Sequence, residues 1–161
     1  EQKGSDLGER ILYSLDQVLK HYTAAIILGS DLPQLKVKTL QKAAQLLDEN
    51  DIVLGPCNDG GYYLLGVKHP YPFLFKNMPW GSKQVLRLTS ERAKIHKLKL
   101  AFLDRDRDLD RWEDVLYFMA QGVIDKRLSS LHSYRYISNL RVRKEALKRG
   151  IYNEKNDKAN L

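Results

Sequence analysis

With 161 residues, 43% of them hydrophobic and 9% aromatic, the chain is long enough to bury one core and too short for a second independent domain to be expected. No apolar run approaches the roughly 20 residues of a membrane span, and no signal-peptide pattern opens the chain, so a soluble, cytoplasmic protein is expected. The net charge of +7 sits in one segment: Lys126 to Gly150 holds eight Lys/Arg against a single acid, Glu145, which leaves the rest of the chain neutral.

From Gly8 to Tyr22 the residues Ile11, Leu12, Leu15, Val18, Leu19 and Tyr22 recur at helical spacing, so an amphipathic helix is expected. Asp6 is its cap, and Glu9, three residues on, completes a capping-box-like pair. The run "AAIILG", Ala24 to Gly29, shows no alternation and suits a strand covered on both faces in a parallel sheet. It stops at "SDLP". Lys36 to Glu49 reads as a second amphipathic helix, and "DIVLGP" as another buried strand. Then "NDGG" leads into "YYLLGV", a third strand. A helix from about Ser82 to Ile95, a strand "KLKLAFL", the acidic stretch "DRDRDLD" and a helix from about Arg111 to Gln121 follow. The basic tail is expected to hold one more helix near Leu140 to Arg149 and to end in a frayed polar run. Alternating helices and strands predict an α/β fold with a mainly parallel sheet. Residue 1 is Glu, and no strand precedes "EQKGSDLGER", so an N-terminal portion is expected to be missing.

In open α/β sheets ligands sit at the carboxyl ends of strands. Asp31 follows "AAIILGS" at such an end, where a carboxylate is a natural ligand for Mg²⁺ or Mn²⁺; capping the next helix or closing an Asx turn is the structural alternative. Asp59 stands in the same position after the next strand. Asn58-Asp59-Gly60-Gly61 suits a plain hairpin turn, and its paired glycines also suit close approach of a ligand. The cluster Asp104, Asp106, Asp108, Asp110, Glu113 and Asp114 offers a further metal ligand or a salt-bridged helix start. Trp80, ahead of Gly81-Ser82, is suited to stack on a ligand or to fill the core with Ser82 as N-cap. Cys57 reads as a small buried residue, since no His stands near it; being the only cysteine, it excludes a disulfide framework. His21, His69, His96 and His132 show no metal or triad spacing.

Taken together, "GSDLGERI", "IILGSDLPQL", "VLGPCNDGGYYLLGV", "LFKNMPWGSKQVL" and "RDLDRWEDV" resemble, in order and near-spacing, a bacterial glycosyltransferase-like family with the GT-A fold. That family is often associated with radical-SAM and selenium-linked gene clusters and is distantly similar to molybdenum cofactor guanylyltransferase and 2-phospho-lactate guanylyltransferase. The resemblance covers Gly4 to about Val115. It implies a metal-dependent glycosyltransferase or nucleotidyltransferase using a nucleotide-sugar or nucleotide donor, with Mg²⁺ or Mn²⁺ and an unidentified acceptor. On it, Asp31, Asp108 and Asp110 are metal residues, and Ser30, Asp59, Gly60, Gly61, Tyr62, Trp80 and Ser82 bind substrate; it supplies no catalytic base. It divides the chain into a transferase region, 1–121, and a basic extension, 122–161. The family's first strands and nucleotide loop are not found here, which implies weak or absent nucleotide binding and an exposed sheet edge that favours homo-oligomers. A competing class is a non-catalytic scaffold whose basic tail engages an anionic partner, although no nucleic-acid motif accompanies the tail.

Overall fold

The structure, a computed structural model, describes residues 3–139. Its first helix, α1 (Leu7–Val18), begins as the sequence predicts, with the Asp6 carboxylate accepting the Glu9 N–H at 2.8 Å. The Glu9 carboxylate turns back to Ser5 instead of Asp6, accepting the Ser5 N–H and hydroxyl at 2.7 Å each. Those two bonds hold its pKa below the ordinary carboxylate value. The helix stops a turn early. The Val18 carbonyl takes the N–H groups of both His21 and Tyr22, and Tyr22 is left exposed.

Among the described residues four strands follow the order β1-β3-β2-β4, where β1 is Ala25–Leu28, β2 Ile52–Pro56, β3 Tyr62–Val67 and β4 Leu100–Phe102. The sheet is mixed, which corrects the mainly parallel expectation. β3 runs antiparallel to both β1 and β2, and only β2 and β4 pair in parallel. The reason lies in the connection: five residues between Pro56 and Tyr62 are too few for a crossover, which takes a dozen or more, so β3 must return directly beside β2. β3 is thereby inserted between β1 and β2. β1 becomes an outer strand whose Leu28 is 39% exposed, instead of the fully covered strand its apolar run suggested.

Helices α2 (Val37–Glu49) and α3 (Val85–Ile95) flank this sheet with α1. Ile52 and Leu54 of β2 with Leu65 and Val67 of β3 pack against Leu15 of α1, Ala93 of α3, and Leu74 and Phe75 beside a short 3-10 turn, Pro72–Leu74. Ala43 and Leu47 of α2 are buried, and Leu47 packs against Gly66 of β3, where a methyl group would already touch it at 3.0 Å. Each fully buried Leu or Ile contributes about 1.5–3 kcal/mol of apolar burial. This core accounts for why β2 and β3, buried along nearly their whole length, read as continuous apolar runs.

These elements, from the N-terminus to Ser30 and over Leu35–Asp108, make up one of two compact units. The other joins Asp31–Gln34 to the described residues from Leu109 to Asn139. It contains α4 (Trp112–Ile124), α5 (Lys126–Ser130) and α6 (His132–Asn139). The Asp114 carboxylate accepts the Arg111 N–H at 2.8 Å at the start of α4, and Asp125 caps α5 through the Arg127 N–H at 2.8 Å. Its core joins Phe118, Met119 and Leu128 to Leu131, Tyr134 and Ile137. The last four of these residues recur every third position, the signal for α5 and α6 that the polar composition hides. The helix expected near Leu140 to Arg149 and the polar C-terminal run lie outside the described residues.

Candidate functional site: a crevice at the carboxyl ends of the strands

Because β1 and β2 both oppose β3, and β4 parallels β2, the carboxyl ends of β1, β2 and β4 point the same way. The turn after β2 is built tightly there. A register shift at Gly55/Pro56 bends the strand, Cys57 N–H donates to the Gly61 carbonyl at 3.0 Å, and the Asp59 carboxylate accepts the Gly61 N–H at 2.8 Å. Gly60, at φ +95°, carries its carbonyl to the Leu86 N–H at 2.9 Å. Its glycine character serves the chain itself. A Cβ there would overlap the Lys83 backbone, so the close approach that the sequence suggested for a ligand is made at this position by the segment leading into α3.

The acidic stretch after β4 is laced to the same turn. Asp106 N–H donates to the Pro56 carbonyl at 3.0 Å, Arg105 donates to the Cys57 carbonyl, and the Tyr63 hydroxyl donates to the Asp104 carbonyl at 3.1 Å. Burial, with Asp106, Asp104 and Cys57 adding to it, pushes the Tyr63 phenol up to about 12. The Tyr63 ring itself lies over Gly55, where a Cβ would sit 2.5 Å from it. The Lys42–Asp104 ion pair, 3.5 Å apart and largely exposed, adds little.

Between these segments and α1 lies a cavity of about 310 Å³, lined by residues of the first unit. Tyr62, Trp80, Ile11 and Ile27 give it apolar walls; Asp59, Gly61, Ser82 and Asp108 bring polar groups to it. Six residues that the sequence singled out therefore share one crevice: Asp59, Gly61, Tyr62, Trp80, Ser82 and Asp108. Cys57 is 1% exposed, and its sulfur lies within 4.8 Å of carboxylate oxygens of Asp59 and Asp108. Gly60 supports the turn from outside the lining. Ser30, exposed, follows the lining residue Gly29. Asp31 and Asp110 belong to the second unit, where their carboxylate oxygens come within 4.8 Å and the Leu109 N–H donates to the Asp31 carbonyl at 2.9 Å.

Trp80 packs against the core of the first unit and also lines the crevice. Its ring stacks on Phe75 at 6.5 Å and packs against Gly8 while lining the crevice, and its indole N–H is buried without a hydrogen-bond partner. Ser82 is not the N-cap of α3, which starts at Val85; its hydroxyl accepts the Gln84 N–H at 3.3 Å in the preceding turn. Sequence reading missed Arg105 and Thr89, since both matter only through long-range contacts. Thr89 is fully buried on α3 beside the Tyr62 hydroxyl. Burial pushes the Tyr62 phenol up to about 12, and the Thr89 hydroxyl offsets only part of that.

A pH dependence follows. Below pH about 10 Tyr62 is protonated in both folded and unfolded chains; between about 10 and 12 only the unfolded chain loses the proton, so stability falls as pH rises. The loss from Tyr62 is about 2 kcal/mol at the upper end. Thermal melts should decline across that window, with a shallower decline in Tyr62→Phe; equal slopes in the two proteins would show that Tyr62 is not the group responsible.

A mixed sheet flanked by helices, with a crevice at the carboxyl ends of its strands, defines an α/β protein. The structure superposes on the crystal structure of a "putative nucleotide-diphospho-sugar transferase" from Desulfovibrio desulfuricans G20 with a TM-score of 0.82 and 27% sequence identity, over 89% of this chain. The match spans 64% of the Desulfovibrio chain, so this chain covers less than two thirds of that protein's length. The chain belongs to the DUF2064 family, described as an uncharacterized protein conserved in bacteria, whose model matches residues 1–82. No curated protein matches it. Among the described residues, no helix is long and apolar enough to cross a membrane.

Proposed function

We propose that this chain is a transferase, or part of one, that takes a nucleotide-sugar donor and works with Mg²⁺ or Mn²⁺. The observation that carries this reading is the likeness to the Desulfovibrio transferase across 89% of the chain, with acidic loops following β1, β2 and β4. Asp31 and Asp110 suit a hard cation: both are exposed carboxylates with oxygens within 4.8 Å of one another, and Mg²⁺ or Mn²⁺ needs only one or two such ligands beside water and phosphate. When bound, the cation neutralises charge on the leaving diphosphate. Leu109 holds the Asp31 main chain in place, and the Asp59 turn, docked on the start of α3, presents its carboxylate to the crevice. Asp108, which the family resemblance groups with the metal residues, is on this reading a further candidate ligand for the cation.

Calorimetric titration of UDP-sugars, GTP and CTP with Mn²⁺ tests the proposal. In the protein with its N-terminal nucleotide-loop segment restored, at least one nucleotide is expected to bind in a Mn²⁺-dependent manner, and Asp31→Asn, an exposed position that leaves packing intact, should weaken it roughly tenfold or more. Unchanged affinity in the variant would remove Asp31 from the metal site; absence of binding by every nucleotide would end the transferase reading for this chain.

A further inference from the structure

We propose that the outer edge of β1 is a dimer interface, at which β1 pairs antiparallel with β1 of a second copy about a two-fold axis and joins the two sheets into one. The inference stands apart from the transferase reading and needs none of the proposed cation ligands. Main-chain groups come first. The Gly29 N–H donates to the Tyr63 carbonyl at 2.9 Å, so by the alternation of an antiparallel ladder Gly29, Ile27 and Ala25 turn their N–H and C=O groups to β3. Ile26 and Leu28 turn theirs the other way. Among the described residues no strand lies on that side, and no hydrogen bond reaches the main chain of Ile26 or Leu28 from it.

Both faces beside this edge are apolar. On one, a cavity of about 310 Å³ lies against Ala24 and Ile26, walled by Ala44 and Leu47 of α2. On the other, Ile27 shares the crevice wall with Leu7 and Ile11 of α1, and Leu7 and Leu28 are exposed. A strand laid along β1 therefore sends its alternate side chains to two apolar faces while its main chain completes the ladder.

Charge decides the occupant. The sheet's other edge, β4, is only three residues long and is bracketed by Lys97, Lys99 and Asp104, charges that deter edge-to-edge pairing. β1 has no such guard: from Thr23 to Ser30 there is no charged side chain. The strand that fits is uncharged and apolar on both faces, and the run Ala24 to Leu28 is itself such a strand, so the edge complements its own copy. With Ile26 on the two-fold axis, Leu28 lies opposite Ala24 of the second copy, and each outward-turned residue of the run finds a partner. A single strand and its flanks make an interface well below the standard size of about 1,600 Å², so a reversible dimer with a Kd of roughly 10–100 μM is expected.

Sedimentation velocity on the whole chain at concentrations below and above that range, with amide hydrogen exchange at each, tests the pairing. Monomer should give way to dimer, and the Ile26 and Leu28 amides should gain protection in step, while the Ile27 amide, already bonded to β3, should not change. Leu28→Lys, a charge at an exposed edge position, should weaken dimerisation roughly tenfold or more, whereas Phe102→Lys on the exposed β4 edge should leave it unchanged. A chain that stays monomeric at every concentration overturns the proposal. So does a dimer whose Ile26 and Leu28 amides exchange as fast as in the monomer. Protection of both amides already in the dilute monomer would show that another segment of the chain covers the edge, and would overturn it too.

Discussion

Replacing Gly60 by alanine is expected to destabilise the first unit by about 3–4 kcal/mol, a drop of roughly 6–16 °C in melting temperature for a chain of this size. Two costs combine. At φ +95° a side chain is strained by about 1–2 kcal/mol, and the new Cβ would overlap the Lys83 main chain, which cannot swing away as a flexible side chain would. Relief requires the turn to lift off the start of α3, which breaks the Leu86–Gly60 hydrogen bond, worth about 1 kcal/mol. Lifting the turn also moves Asp59, so binding at the crevice should weaken along with stability. Gly81 is the control. Its φ of +76° carries the same kind of strain, but a Cβ there meets nothing within 4 Å, so Gly81→Ala should cost only about 1 kcal/mol. Equal melting temperatures for the two variants would show that contact with Lys83 is not what holds the turn.

Gly122→Ala is expected to be at least as damaging, in the second unit. Gly122 is buried on α4, and a Cβ there would overlap the ring of Tyr134 on α6. That ring cannot simply shift: its hydroxyl donates to the Met119 carbonyl at 3.1 Å, and it packs edge-on against Phe118 at 5.7 Å. Expelling it forfeits the hydrogen bond and the burial of an aromatic ring, together about 3–5 kcal/mol. Chemical denaturation should show α6 released, read as loss of amide protection over His132–Asn139. A double-mutant cycle isolates the cause. With Tyr134→Ala already present, Gly122→Ala should cost almost nothing, since alanine is otherwise favoured in a helix; additive losses would place the strain elsewhere.

Where local chemistry was enough, the sequence was legible. The Asp6 cap, the helical stripe through Leu15, the α2 stripe through Ala43 and Leu47, and the burial of Cys57 all follow from spacing and side-chain type, because a helix or strand declares its buried face in its own periodicity. So does the reversal at "NDGG", which takes residues that tolerate tight turns. The family resemblance picked out six residues that share the crevice, and for Asp59, Trp80 and Asp108 composition and spacing alone had left both a structural and a ligand-facing role open.

The remaining decisions belong to the tertiary structure. An apolar strand looks the same whether its neighbour runs with it or against it, so only the pairing could show that β3 lies between β1 and β2 and makes the sheet mixed. Whether Gly60 makes room for a ligand or for the chain depended on Lys83, more than twenty residues away. The clamp of Arg105 on the Cys57 carbonyl and the burial of Tyr62 against Thr89 are likewise contacts between distant segments that no local window records. By itself the sequence determined which residues can carry chemistry, because that is a property of side chains. Which of them meet in one cavity depended on how the strands pair and bring their loops together.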